Sequence, residues 1–238
     1  MVKIITEGAD GRYSVEQLLK IMEALRSPEG CPWDKEQTHK SIRNDALEEA
    51  YEVADAIDND DAAALCEELG DMLLQVVFHS RIAAEEGAFT FDDVVDGICK
   101  KLILRHPHVF GEASADDSSQ VLDLWDSIKK EEKHQNTVTD TLKSVPRAFP
   151  ALMRAAKVQK RAAKAGISSG NPLEQLALYS KKLEDAAESG DDSLKLKIYG
   201  DCLFLLAGMQ QKLKVDAEEA LNSATDRFIK VIEESENE

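Results

Sequence analysis

Two short acidic motifs stand out because their spacing would bring carboxylates together on neighbouring helices. Glu49 and Glu52 lie three residues apart in the run EEAYE, and Glu68 and Asp71 lie three residues apart in EELGD. Residues with this separation share one face of a helix. The two pairs lie at matching distances before and after Asp60, so an antiparallel hairpin that turns there sets Glu52 opposite Glu68 and Glu49 opposite Asp71. The pattern therefore predicts four carboxylates around one point.

Such a cluster needs a cation, because four facing carboxylates repel one another when nothing lies between them. Oxygen ligands without His or Cys select hard ions, so the motifs predict Mg²⁺, with Mn²⁺ as a substitute. A di-iron carboxylate bundle is the main competitor, but it uses Glu-x-x-His pairs that these helices lack. One acidic pair alone is more often a solvated helix face, and the mirrored arrangement beside apolar runs is what favours the metal site.

Three further features suit a phosphate-containing substrate. Lys101 and Arg105 lie four residues apart near the end of a predicted helix, although the helix dipole alone also favours cations there. Trp125 is followed four residues later by Lys129, a pair suited to stacking on a base, while core packing is the simpler role for the ring taken alone. Glu48 is a candidate base for an attacking water, and an outward, solvated carboxylate fits it equally well.

Helices must position these side chains, because the segments between the six prolines show helical periodicity and no β-type alternation. The chain is therefore predicted to be all-α. Capping motifs such as Ser14-x-x-Gln17, together with glycine and proline stops, set the approximate boundaries. The predicted helices cover residues 14–26, 41–57, 61–86, 90–105, 121–134 and 148–164, one begins at 171, and two more cover 193–213 and 216–234.

An internal echo suggests duplication, since LGDMLL at 69–74 returns as YGDCLF at 199–204. We therefore predict duplicated helical halves with four-helix-bundle packing, a first half at 1–135, a helical connector at 136–172 and a second half at 173–238.

The acidic motifs do not survive in the second half. Aligning the two Gly-Asp pairs puts Lys181 and Glu184 at the positions of the first acidic motif, and Ile198 and Asp201 at those of the second. A lysine and an isoleucine cannot replace carboxylate ligands, so the second half is predicted to be degenerate, with Lys181 paired to Asp201 in place of a metal.

Composition excludes several classes of partner. The 238 residues include 46 acidic and 29 basic ones, a net charge of −17, which argues against nucleic acid and anionic membranes as partners. Four scattered cysteines, no signal-like N-terminus and no apolar run of spanning length predict a reduced, cytoplasmic protein.

Longer stretches of the sequence resemble MazG-type nucleoside triphosphate pyrophosphohydrolases. The acidic motifs alone are shared with phosphoribosyl-ATP pyrophosphohydrolases and dimeric dUTPases. More specific are CPWDKEQTH at 31–39 and KLILRHPHVF at 101–110, and the resemblance continues through LWDSIKKEE at 124–132 and PALMRAAKVQKRAAKAG at 150–166. It covers nearly the whole chain.

The resemblance implies a helical homodimer that hydrolyses a nucleoside triphosphate to the monophosphate and pyrophosphate with Mg²⁺. Carried over residue by residue, it assigns the metal to Glu49, Glu52, Glu68 and Asp71, and the nucleotide to Lys101, Arg105, Trp125 and Lys129. A narrower substrate, either phosphoribosyl-ATP or a single dNTP, stays an alternative, as does a helical regulatory or binding protein without turnover. The intact acidic motifs favour the enzyme.

Overall fold

The protein is built from helices joined by short turns. The computed structural model describes residues 5–8, 11–114, 117–132, 137–167 and 170–236, and within these ranges there is no β-strand. The predicted all-α class is confirmed. The helices of the described ranges are α1 (Val15–Arg26), α2 (Pro32–Glu36), α3 (Asp45–Asp58), α4 (Ala62–Glu85), α5 (Phe91–Arg105), α6 (Pro107–Phe110), α7 (Ser118–Glu132), α8 (Val138–Lys143), α9 (Ala151–Lys164), α10 (Pro172–Glu188), α11 (Asp192–Leu213) and α12 (Ala217–Glu236).

All nine predicted helices are present, and the last two residues of the 121–134 prediction lie outside the described residues. The helices that sequence analysis missed, α2, α6 and α8, have four to six residues, too few to show a periodicity. The helix predicted from residue 41 begins at Asp45 instead. Thr38 and Ser41 exchange hydrogen bonds between their backbone N–H groups and side-chain oxygens, at 2.9 and 3.2 Å, and this stabilises turns before the helix.

The chain divides into two compact units, Met1–Val121 and Leu122–Glu238. In the first unit α3 and α4 form a hairpin, and α1 and α5 pack against α4. In the second unit α10 and α11 form a hairpin, α9 packs against α11, and α8 and α12 pack against α9. The predicted segments 1–135, 136–172 and 173–238 stay a prediction.

The turns of the two hairpins are built alike. In the first, Asp60 adopts the left-handed conformation (φ 52°) and the Asp61 carboxylate caps α4 by accepting two backbone N–H bonds of 3.0 Å. In the second, Gly190 is left-handed (φ 67°) and Asp191 caps α11 through bonds of 2.9 and 3.1 Å. Because turns and caps match, each residue of the second hairpin corresponds to the one 130 positions earlier. Duplication as the origin of this likeness stays a prediction.

Each unit has its own apolar core. In the first unit it is formed by side chains of α1, α4 and the turn before α3, namely Met22, Ile42, Val77, Phe78 and Ile82. In the second unit Ala186, Ile198 and Cys202 form the core between α10 and α11. All four cysteines are free thiols. Among the described helices, none combines the length and the hydropathy that crossing a bilayer requires.

Arg26, at the end of α1, fastens the CPWDKEQTH segment to α4. Its guanidinium group donates to the carbonyl oxygens of Asp34 and Gln37, the latter at 3.2 Å, and to the Glu85 carboxylate at 2.7 Å. It also lies over the Phe78 ring, 5.4 Å from the centroid. Turns at residues 39–44 connect this segment to α3, the helix that carries Glu49.

Two aromatic contacts complete the attachment. Trp33 meets Phe78 edge to face, with ring centroids 6.4 Å apart. His39 stacks on His79, and their Nδ1 atoms lie 2.8 Å apart, so one ring must donate and the other accept. Burial, followed by the charge of His39, lowers the pKa of His79, which keeps that ring neutral near pH 7.

We expect Arg26→Ala to destabilise the first unit by about 2 kcal/mol, less than a fully buried pair because a third of the Glu85 side chain is exposed. Burial raises the pKa of Glu85, but hydrogen bonds and charges from Arg26 and Arg81 outweigh it and leave that pKa below its ordinary value. The pair therefore stabilises the fold above the unfolded-state pKa of Glu85 and loses its effect as the pH falls through the folded-state value. Urea unfolding at pH 7 and pH 3 measures both effects, with the exposed Arg43→Ala as control.

An Arg26→Ala variant as stable as the Arg43→Ala protein would show that the segment is held by its apolar contacts alone.

Candidate metal centre

Three carboxylates meet between α3 and α4. Glu49 projects from α3, and Glu68 and Asp71 project from one face of α4. One oxygen from each lies within 4.8 Å of the other two, and all three side chains are half-buried. The hairpin turn at Asp60 sets this register, as the spacing of the acidic motifs predicts. The backbone geometry of the hairpin therefore places these three residues at neighbouring positions on the two helices.

The fourth predicted ligand, Glu52, lies beside this cluster rather than within it. Its side chain is exposed, and it acts on Glu49 both through its charge and as a hydrogen-bond neighbour. Glu48 is exposed as well and lines a shallow groove along α3 together with Tyr51 and Glu52. The structure thus brings three of the four predicted ligands together, and the role of each residue stays a prediction.

Burial and, after it, repulsion within the cluster change its acid–base behaviour. Burial, followed by the charges of Asp71 and Glu52, raises the pKa of Glu49, and a hydrogen bond with Gln75 opposes the rise. Burial, followed by the charges of Glu67, Asp71 and Glu49, raises the pKa of Glu68. Both carboxyl groups therefore hold a proton more tightly in the folded protein than in the unfolded chain.

Sequence analysis missed Gln75, which lies one turn beyond Asp71 on α4. Its side chain is 9% exposed, and its Oε1 atom is buried and has no hydrogen-bond partner in the part of the chain that the structure describes. The available signal was a polar residue inside the apolar run MLLQVVF, four positions after Asp71. An apolar residue would fill that position at lower cost, so an amide there needs an explanation.

The residues present fit a hard divalent cation. The donors are all oxygen, the carboxylates repel one another in its absence, and the neighbouring Gln75 side chain has an acceptor oxygen without a partner among the described residues. This is the ligand chemistry that Mg²⁺ and Mn²⁺ prefer. The observations support the acidic cluster as a metal centre and leave the identity of the metal open.

The predicted nucleotide contacts lie on two other helices. Lys101 and Arg105 are on α5, where Lys101 is half-buried and Arg105 is 5% exposed. Trp125 and Lys129 lie on one face of α7, in the second unit, and both are half-buried. Burial of Arg105 was not expected, because its position at the end of an amphipathic helix is typical of a solvated cation.

Known proteins resemble this chain along most of its length. The model of the MazG nucleotide pyrophosphohydrolase domain matches residues 37–110. A nucleoside triphosphate pyrophosphohydrolase of Escherichia coli is 44% identical over 220 residues, which cover 90% of this chain and 84% of the relative. A nucleoside triphosphate pyrophosphohydrolase/pyrophosphatase MazG of Thermotoga maritima is 40% identical over 214 residues, or 90% of this chain and 82% of the relative. The chain belongs to the MazG family.

This result confirms the resemblance drawn from the motifs and the enzyme class, a nucleotide pyrophosphohydrolase. The segment matched by the MazG model contains all of the clustered carboxylates as well as Lys101 and Arg105. Trp125, Lys129 and the second hairpin lie outside it. A further relative, the nucleoside triphosphate pyrophosphohydrolase of Mycobacterium tuberculosis, is 44% identical over 171 residues, or 71% of this chain and 51% of the relative.

Within this MazG protein the second hairpin carries different side chains at three of the four carboxylate positions. The structural correspondence places Tyr179 and Lys182 at the positions of Glu49 and Glu52, two residues from the expected Lys181 and Glu184, which are exposed. The expected alignment was wrong by two residues for this helix, because the matching turns at Asp60 and Gly190 fix the offset between the hairpins at 130 residues.

Asp201 also has a different partner from the one expected. Lys197, one turn earlier on α11, lies 3.0 Å from the Asp201 carboxylate, in place of Lys181 from the facing helix. Tyr179 packs against the core, and the Lys182 ammonium lies 4.7 Å from the centre of its ring. Of the four positions only Asp201 keeps a carboxylate, and its charge is already neutralised within its own helix.

We expect Glu68→Gln to raise the melting temperature of the metal-free protein at pH 7.5, because it removes one of the repelling charges. Since the folded-state pKa of Glu68 is raised above its ordinary value of 4.5, protonation relieves the repulsion as the pH falls. The difference in melting temperature between variant and wild type should therefore be largest above the raised pKa and should shrink as the pH falls toward 4.5. Differential scanning calorimetry in the presence of a chelator measures it.

Glu184→Gln, an exposed change on α10, serves as the control and should show no such pH-dependent difference. Added Mg²⁺ should raise the melting temperature of the wild type more than that of Glu68→Gln. If Glu68→Gln melts below the wild type at pH 7.5, repulsion does not dominate the cluster.

Proposed function

We propose that this MazG protein hydrolyses nucleoside triphosphates to the monophosphate and pyrophosphate, with Mg²⁺ bound in the first unit. The observation that carries the proposal is the meeting of Glu49, Glu68 and Asp71 oxygens within 4.8 Å, inside the segment that the MazG model matches. Support for the substrate class comes from the Escherichia coli and Thermotoga maritima relatives, both named as nucleoside triphosphate pyrophosphohydrolases.

The chemistry needs a water to attack phosphorus so that the bond between the α- and β-phosphates breaks. Glu49, Glu68 and Asp71 would hold the ion, and Glu52, which lies beside the cluster, is the proposed fourth ligand. When bound, Mg²⁺ supplies positive charge that neutralises the phosphate oxygens. Glu48, exposed on α3 next to Glu49, is the proposed acceptor of the water's proton.

Four further residues would contact the nucleotide. Lys101 is half-buried on α5 and can offer its ammonium to a phosphate, whereas the buried Arg105 would act from within the fold. Trp125 and Lys129 on α7 would provide a ring and a cation for the base.

We also propose a homodimer. Apolar side chains along the two helices that carry the cluster are exposed to between 37% and 59%, and they are Leu47, Tyr51, Leu69, Leu73 and Val76. Monomeric proteins rarely expose apolar surface of this kind over neighbouring elements. Sedimentation of the purified protein tests the dimer.

The free cysteines suit the cytoplasmic location proposed from the sequence.

Product analysis tests the reaction directly. The protein is incubated with each NTP and dNTP and with phosphoribosyl-ATP, with and without Mg²⁺, and the products are separated by anion exchange. Monophosphate and pyrophosphate support the proposal, and diphosphate with phosphate would contradict it. Turnover of one dNTP alone, or of phosphoribosyl-ATP alone, favours the narrower enzyme, and no turnover favours a binding protein.

Asp71→Asn should reduce turnover by more than the roughly 10–100-fold typical of changes around a metal's direct ligands, with helicity unchanged. The matched control is Asp201→Asn, the corresponding residue of the second hairpin, which should leave activity nearly unaltered because Lys197 already neutralises it. Steady-state kinetics and circular dichroism measure the two effects. Loss of activity in Asp201→Asn with activity kept in Asp71→Asn would move the active site to the second unit.

Trp125→Ala should change the ranking of substrates by base, since stacking contributes about 1–3 kcal/mol per base and differs among bases. Lys101→Ala should instead raise KM for every substrate alike, because phosphates carry no base identity. Measuring kcat/KM for four dNTPs distinguishes the two results. An unaltered ranking with a lower melting temperature would assign Trp125 to the core.

A further inference from the structure

Gln75 is a buried amide among the apolar side chains of α4. It lies one turn beyond Asp71, on the α4 face that carries the acidic cluster, and its side chain is 9% exposed. Its hydrogen bond with Glu49 uses one end of the amide group. The other end, Oε1, is buried and lacks a partner within the described ranges. Leaving a buried carbonyl oxygen unpaired destabilises a fold, so a simple packing role would favour an aliphatic side chain.

The second hairpin shows what packing alone selects at this position. The residue that corresponds to Gln75 is Leu205, which is 6% exposed on α11. Its neighbourhood differs in one respect that matters, because Tyr179 and Ile198 stand where Glu49 and Glu68 stand in the first hairpin. The same buried position thus holds a leucine where the acidic cluster is absent and an amide where it is present.

We propose that Gln75 is a positioning residue of the metal centre, whose amide N–H group holds the Glu49 carboxylate while Oε1 accepts a hydrogen bond from a water carried by the bound cation. This inference rests on the proposed function in so far as the carboxylates hold a divalent cation. It assigns the unpaired oxygen a partner that arrives with the metal. Bound Mg²⁺ typically keeps several waters, and such waters donate to nearby acceptors.

The test uses the full-length protein and Mn²⁺ alone, without nucleotide. Titration calorimetry measures the Kd for Mn²⁺, and calorimetric melting in a chelator measures the stability of the metal-free protein. Gln75→Leu should raise the Kd about 10–100-fold, as substitutions around a metal's direct ligands do. Its metal-free melting temperature should equal or exceed that of the wild type, because a buried unpaired oxygen is replaced by the side chain found at Leu205. A residue with only a structural role would lose stability and metal affinity together.

Gln75→Glu keeps an acceptor oxygen at the same place, loses the N–H group that holds Glu49, and adds a negative charge whose attraction for the cation offsets that loss. It should bind Mn²⁺ within a few-fold of the wild type and melt at a lower temperature without metal. Leu205→Gln is the matched control and should leave the Kd for Mn²⁺ unchanged, although it places an amide at the corresponding buried position of the second hairpin.

The outcomes separate this inference from the proposed function. If the wild type binds Mn²⁺ and Gln75→Leu binds it with the same Kd, the proposed role of Gln75 is wrong and the metal centre is still supported. If Gln75→Leu is too unstable to titrate, Gln75→Glu decides the matter. A Kd for Mn²⁺ close to that of the wild type supports the acceptor role of the side-chain oxygen, and a Kd about 100-fold higher contradicts it. Failure of the unaltered protein to bind Mn²⁺ overturns the metal centre and this inference together.

Discussion

Three carboxylates held within 4.8 Å of one another repel, and the first unit has to keep them together against that repulsion. Side chains on a flexible segment would separate, but Glu49, Glu68 and Asp71 are attached to two helices joined by a turn of fixed geometry. The packing of α1 and α5 against α4, and the attachment of residues 31–39 by Arg26, keep that hairpin in place. The fold thereby maintains an unfavourable interaction among these carboxylates, which is the charge arrangement that the proposed divalent cation would relieve.

The register of this cluster was predictable because it depends on distances that the sequence states directly. The two acidic pairs lie symmetrically about Asp60, and an aspartate in the left-handed conformation followed by a capping aspartate forms the turn there. Helix spacing fixes which face a residue occupies, but not its rotamer. Glu52 consequently shares the face of Glu49 and yet lies outside the group of three, a distinction that spacing cannot make.

The residues that sequence analysis misjudged depend on tertiary contacts. Arg105 ends an amphipathic helix, which is typical of a solvated cation, but packing around the end of α5 buries it. Gln75 lies in an apolar run, so its role is visible only once the Glu49 side chain is placed beside it. In the second hairpin, sequence alignment assigned Lys181 and Glu184 to the first two carboxylate positions, whereas the turn at Gly190 sets Tyr179 and Lys182 there. Local spacing predicts which face of a helix a residue occupies, and tertiary packing decides which residues it contacts.

Comparison of the two hairpins distinguishes the features that the helical arrangement requires from those found only where the acidic cluster is present. Their turns, caps and buried alanines at 56 and 186 correspond, so this helical arrangement forms with carboxylates or without them. In the second hairpin, which lacks the acidic cluster, Ile198 and Leu205 are buried, and Lys197 neutralises the one remaining carboxylate, Asp201. The second hairpin thus forms without an acidic cluster or a buried amide, whereas the first adds carboxylate repulsion and an amide oxygen that has no partner among the described residues. Side chains that destabilise a scaffold able to form without them are expected of a functional site, because a bound ligand can satisfy them.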